Sequence, residues 1–154
     1  MNNNRKSKLY VFDLDFTLWD CGGTWVDHTH PPFRRKNGIL QDSRGRRLEL
    51  YPDARPILKH LDSWGVTMAV ASRTGEPDWA MELLHHFELD GFFKHMEIYP
   101  GSKLNHFKRL RDCTGVAYDD MIFFDDENIN IEEVGSLGVQ AVPVPSGIQW
   151  ELLP

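Results

Sequence analysis

Leu9-Tyr10-Val11-Phe12-Asp13-Leu14-Asp15-Phe16-Thr17-Leu18 decides the fold. Its first four residues are an apolar run, too short for a helix and rich in β-formers, and they predict a buried strand. Asp13 and Asp15 follow with only Leu14 between them. That places two carboxylates at the carboxyl end of a strand, where open α/β sheets bind ligands. Like charges so close are unfavourable in a buried site unless a proton or a cation relieves them. Mg²⁺, a hard ion that takes carboxylates together with phosphate oxygens, fits the pattern. A solvated acidic turn fits these residues equally well, so the rest of the chain has to decide.

Working outward, strand and helix alternate. Pro52-Asp53 opens a helix over 54–64 with Ile57, Leu58 and Leu61 on one face, and Gly65 stops it. Thr67–Ala71 is a second apolar strand, ending at Ser72-Arg73-Thr74. Pro77 suits the first turn of a helix to Phe87, and a short strand follows around Met96–Tyr99. Ser102 caps the next helix, which begins with Lys103. Met121–Phe124 is a further buried strand leading into Asp125-Asp126-Glu127, then a helix over 129–137 and a last strand over 140–143. This alternation predicts a parallel sheet covered on both faces.

Residues 20–50 break the rhythm. Gly22-Gly23, Pro31-Pro32, Asn37-Gly38 and Ser43-Arg44-Gly45 are turn signals, with β-like pieces at Thr24–Val26 and Arg47–Leu50. They predict a small β-hairpin flap, too short to bury a core of its own.

A chain of 154 residues suits one domain spanning 1–154, with the polar stretch 1–7 a flexible tail. A net charge of −6 argues against a general nucleic-acid binder. Cys21 and Cys113 make neither a disulfide framework nor a zinc site and fit a reducing compartment. No apolar run is long enough to span a membrane and no secretory segment opens the chain, so a cytoplasmic location is expected.

In a parallel sheet the strand ends lie on one edge. Asp13, Asp15, Ser72, Asp125 and Asp126 then converge there, with Lys103 at the start of the adjoining helix. Such a set suits phosphoryl transfer: a carboxylate attacks phosphorus, others hold Mg²⁺, and hydroxyl and ammonium donors neutralise the phosphoryl oxygens. Convergence favours this over the solvated turn. His85-His86, adjacent on a helix, do not share a face and are not read as a metal pair.

The order Asp-x-Asp-x-Thr, Ser, Lys, Asp-Asp resembles the haloacid dehalogenase superfamily. The blocks 11–19, 71–74, 99–103 and 123–128 resemble more narrowly its magnesium-dependent phosphatase subfamily. The resemblance implies a three-layer, Rossmann-like core. It implies that Asp13 is a nucleophile forming an aspartyl-phosphate, and that Asp15 protonates the leaving oxygen and then activates water. Asp13, Asp126 and the main-chain carbonyl of Asp15 would hold Mg²⁺. Thr17 and Ser72 would bind the phosphoryl group, Lys103 would offset its charge, and Asp125 would pair with Lys103 or support the metal ligands from behind. Arg73 stands between a phosphate contact and a surface ion pair.

Only the flap stands where the superfamily often carries a cap domain. The open site this predicts admits phosphotyrosine-like or sugar-phosphate substrates, on a small molecule or a phosphoprotein, in a monomeric enzyme. Trp25 and Arg34 are the flap's candidate substrate contacts, with Trp19, His28, His30, Phe33 and Arg35 further candidates for its rim. The competing readings are a receiver-like phospho-accepting signalling module and a phosphotransferase. Receivers place the acid pair on the first strand and the accepting Asp on a middle one, the reverse of the order here.

Overall fold

Leu9–Phe12, every residue buried, forms β1 at the centre of the sheet. The computed structural model describes residues 7–154, so the expected tail lies outside the described residues except for Ser7. Beyond β1 the chain forms β2 (Trp19–Asp20), β3 (Arg34–Lys36), β4 (Ile39–Gln41) and β5 (Glu49–Leu50). Then come α1 (Ala54–Ser63), β6 (Thr67–Ser72), α2 (Pro77–His86), β7 (His95–Ile98) and α3 (Lys103–Thr114). β8 (Met121–Asp125), α4 (Asn128–Gly135) and β9 (Gln140–Pro143) complete the alternation. The main sheet has the order β7-β6-β1-β8-β9, parallel throughout.

Alternate residues of each central strand face opposite layers. Tyr10, Phe12, Met68, Val70, Ile122 and Phe124 pack with α1, α2 and the flap. Leu9, Val11, Ala69, Ala71, Met121 and Phe123 pack with Phe107 and Leu110 of α3 and Val134 of α4. The two layers around one sheet make the expected three-layer α/β architecture.

The flap holds the main departures. Residues 24–26 are not strand: the chain turns there into a 3-10 helix, Val26–His28, because the Val26 amide is drawn to the Asp15 carboxylate. The hairpin pairs Arg34–Lys36 with Ile39–Gln41. Asn37 and Gly38 both have positive φ (54° and 78°) at its tip, as a type I′ turn requires. The hairpin buries Phe33 and Leu40 in the main core rather than in one of its own. Past β9, Ile148 N donates to Thr17 O at 2.8 Å, tying the chain's end to the loop after β1. Gly147 is needed at that crossing, since a Cβ there would run into the Tyr51 ring.

Candidate active site

Register brings the acids together. Phe12 is level with Val70 of β6 and Phe124 of β8, so Asp13 emerges beside Asp125. The chain then folds on itself: Thr17 N and Leu18 N donate to Leu14 O at 3.1 and 2.9 Å, and Phe16 takes a left-handed φ of 60°. This turn aims the Thr17 hydroxyl at Asp13 Oδ2, 3.2 Å away. Thr17 is fully buried and spends its hydroxyl on the nucleophile candidate.

Lys103 reaches the same carboxylate from the other side. Ser102 caps α3 by accepting from Leu104 N and is itself fixed by donating to Glu133 at 2.7 Å. The cap points the first helical residue inward, and Lys103 is 1% exposed. Its ammonium donates to Asp13 Oδ1 at 2.8 Å and Asp125 Oδ2 at 2.6 Å. Burial alone would depress the Lys103 pKa, but the Asp13 and Asp125 charges outweigh it and hold the amine protonated. Asp125 also accepts from Glu127 N at 2.8 Å and Asn130 Nδ2 at 3.0 Å. It is a fully buried anchor for Lys103.

Asp13, Asp125 and Asp126 present carboxylate oxygens all within 4.8 Å of one another. Burial, then a hydrogen bond to Asp13 and the Asp13 charge, push Asp126 up to about 9. A proton held between carboxylates stands where a cation can replace it, and an all-oxygen donor set suits Mg²⁺. The fit is to Asp13 and Asp126, since Asp125 is already committed to Lys103.

Asp15 turns away from that cluster toward the flap. A single oxygen, Oδ1, accepts from Trp19 Nε1 at 2.8 Å, Val26 N at 2.9 Å and Cys21 Sγ at 3.9 Å. A proton on this carboxyl therefore belongs on Oδ2. Burial raises Asp15 to about 7; the Trp19 bond opposes the rise and the Asp13 charge adds to it. A carboxyl in that range both gives and takes a proton near neutrality.

A cleft of about 280 Å³ opens over these groups, lined by Asp13, Asp15, Lys103 and Asp126, by Ser72, Arg73 and Thr74, by Glu127 and Asn130, and by Trp25, Asp27 and His28 of the flap. Ser72 Oγ accepts from Thr74 N at 3.3 Å, and Arg73 Nη1 donates to Asn130 Oδ1 at 3.3 Å. His106 is completely buried beneath, its Nε2 2.8 Å from Ser72 O and 2.7 Å from Tyr99 O, and its Nδ1 3.1 Å from Ser102 O. It clips together the segments that carry Ser72 and Lys103.

Of the expected rim residues, Trp25 and His28 reach the cleft. Arg34 does not: it lines a separate recess with Pro32, Arg35, Lys36, Gln41, Asp42 and Ser43, because the hairpin projects away from the sheet edge. Trp19 and Phe33 are core residues, and Arg35 donates to His86 O at 2.7 Å. Asp27, Thr74, Asn130 and His106 were not legible. Asn130 follows Asp125 by five residues, which is not a helical neighbour spacing; Asp125 ends β8 and Asn130 lies in the first turn of α4, so their bond forms only through the strand-to-helix turn. Asp27 is the more consequential omission. Its Oδ1 is buried without a hydrogen-bond partner, 3.8 Å from His28 Nε2.

An acid phosphatase family profile matches residues 5–154. Human magnesium-dependent phosphatase 1 is 48% identical over 151 residues, covering 97% of this chain and 84% of the relative. A HAD-like hydrolase superfamily protein of Schizosaccharomyces pombe is 41% identical, with 86% and 82% covered. A solved haloacid dehalogenase-like family hydrolase of Streptococcus pneumoniae superposes with a TM-score of 0.65 at 15% identity, covering 88% of this chain and 83% of that one. The last shares the fold alone.

Proposed function

This chain belongs to the acid phosphatase family, and on that footing we propose that it is a Mg²⁺-dependent phosphomonoester hydrolase working through a phosphoaspartate on Asp13. The observation that carries the reading is the Asp13 carboxylate, held between Lys103 and Thr17 within reach of Asp126. Human magnesium-dependent phosphatase 1, alike over nearly the whole chain, supports both the reaction class and the cation.

Asp13 attacks phosphorus while the bond to the leaving oxygen breaks, and Asp15 gives its proton to that oxygen. Asp15, now ionised, takes a proton from water as the water attacks the phosphoaspartate. Phosphate departs, and both carboxyls return to their starting states. Ser72 and Arg73 receive the phosphoryl oxygens, and Lys103 offsets negative charge on Asp13 and the transferring group. Asp13, Asp126 and the Asp15 main-chain carbonyl would hold Mg²⁺, which would supply neutralisation of the charge on the transferring group.

The open cleft suits phosphotyrosine-like or sugar-phosphate substrates, free or on a protein. The Trp25 ring, 45% exposed and edge-on to Phe16 and His28, suits an aryl leaving group. Asp27, which lines the same cleft, suits an N–H or O–H beside the phosphate. We place the enzyme in a reducing, cytoplasmic compartment as a monomer; Cys21 and Cys113 are both free thiols, which supports the compartment. Among the described residues no helix is long and apolar enough to cross a membrane.

Phosphate release from an aryl phosphate and a sugar phosphate, with Mg²⁺ and with excess chelator, tests the reading. Release that needs Mg²⁺ is expected; equal release in chelator rejects it.

A further inference from the structure

Segment 34–47 holds Arg34, Arg35, Lys36, Arg44, Arg46 and Arg47 against Asp42 alone, a net charge of +5. The remaining 11 basic and 22 acidic residues leave the rest of the chain at −11. All six basic side chains are exposed, whereas Asp42 is buried. Its carboxylate is taken up by the amides of His30, Arg44 and Arg46 at 3.1, 3.0 and 2.9 Å. Among the described residues, no ion pair satisfies any of the six.

A short stretch of backbone links the cleft to these basic recesses. His28 lines the cleft, and His30, at most about 7 Å further along the backbone, lines a recess with Gly22 and Arg44–Arg47. Ser43 N donates to His30 O at 2.7 Å, joining that recess to the next, where Arg34–Lys36 stand. A chain lying along this path passes Arg34–Lys36 and Arg44–Arg47 and then His30 and His28 before it reaches the acid-lined cleft.

We propose that the flap is a docking track for an acidic segment flanking the phosphorylated residue of a polypeptide substrate. The proposal rests on the phosphatase reading of the cleft but can fail separately from it. A polypeptide can lay local acidic charge on the track and offer a single monoester to the metal site. A nucleic acid carries charge at every nucleotide, including those beside Asp13, Asp15, Asp27, Asp126 and Glu127, where the field is unfavourable. The hairpin also lacks the exposed rings that stack bases, since Phe33 is buried.

The test compares parent and a Lys36→Gln/Arg44→Gln/Arg47→Gln variant on a phosphotyrosine peptide with an acidic flank, the same peptide with a neutral flank, and para-nitrophenyl phosphate. The expected result is an acidic-flank preference in kcat/KM that falls about tenfold or more in the variant and weakens with added salt, with para-nitrophenyl phosphate unchanged. Anisotropy binding of the unphosphorylated acidic peptide should fall in parallel. That readout needs no turnover, so a parent inactive on para-nitrophenyl phosphate would reject the phosphatase reading and leave the track measurable. No flank preference in the parent, or an equal loss on all three substrates, overturns the proposal. So does an oligonucleotide or anionic vesicle that binds as tightly as the acidic peptide.

Discussion

Lys103 Nζ lies 2.8 Å from Asp13 Oδ1, a bond between two buried side chains 90 positions apart at the floor of the cleft. Removing the ammonium leaves Asp13 and Asp125 as buried charges without their counter-ion. Lys103→Met should therefore lower kcat by orders of magnitude and cost the metal-free fold about 3 kcal/mol or more. Mg²⁺ should raise the Tm of the variant more than that of the parent, because the cation meets a more negative site. An equal shift in both would separate Lys103 from the metal cluster.

Asp126 carries the metal prediction. Its folded value of about 9 lies above the ordinary carboxyl range, so the folded metal-free protein binds a proton that the unfolded chain releases. That contribution to stability is complete below about pH 4 and is lost progressively as pH rises toward 9. Asp126→Asn should flatten this part of the stability profile and weaken Mg²⁺ binding by calorimetry. Unchanged affinity would move the ligand assignment elsewhere.

The Asp15 proton sets the pH dependence. With a value near 7 before the cation binds, kcat/KM on alkyl phosphates should decline above neutrality. A cation beside the carboxyl can only favour ionisation, so the alkaline limb falls at or below pH 7. Activated aryl phosphates, with leaving groups that need no proton, should show a much shallower limb. Identical limbs for both substrates would remove Asp15 as the acid.

At the rim, Trp25 and Asp27 should govern preference between leaving groups. Trp25→Ala should lower kcat/KM mainly on aryl phosphates, and Asp27→Ala mainly on sugar phosphates, by about tenfold each. One common factor on every substrate would make these residues structural cover.

The sheet and its ligand edge were legible because each strand announces itself as an apolar run and parallel order fixes where the runs end. Asp13, Ser72, Lys103 and Asp126 line one cleft, as that logic requires. The flap was not legible to the same degree. Arg34 follows the strand closely in sequence but its hairpin projects away, and nothing local sets that direction. The Val26–His28 turn depends on an amide captured by Asp15 from eleven residues away, a tertiary bond that outweighs the β-preference of Thr24-Trp25-Val26. Asp27 was missed for the same reason, since an orphaned carboxylate oxygen is recognisable only once its surroundings are known.

The most direct measurement is the covalent intermediate itself. Rapid acid quench during turnover of a phosphate-labelled substrate, followed by peptide mapping, should find the label on the peptide containing Asp13. The label should be released by hydroxylamine, require Mg²⁺ for its formation, and be absent from Asp13→Asn, which should also lose turnover by orders of magnitude. Label on any other residue, or an Asp13→Asn protein that still hydrolyses phosphomonoesters at a parental rate, would contradict the account.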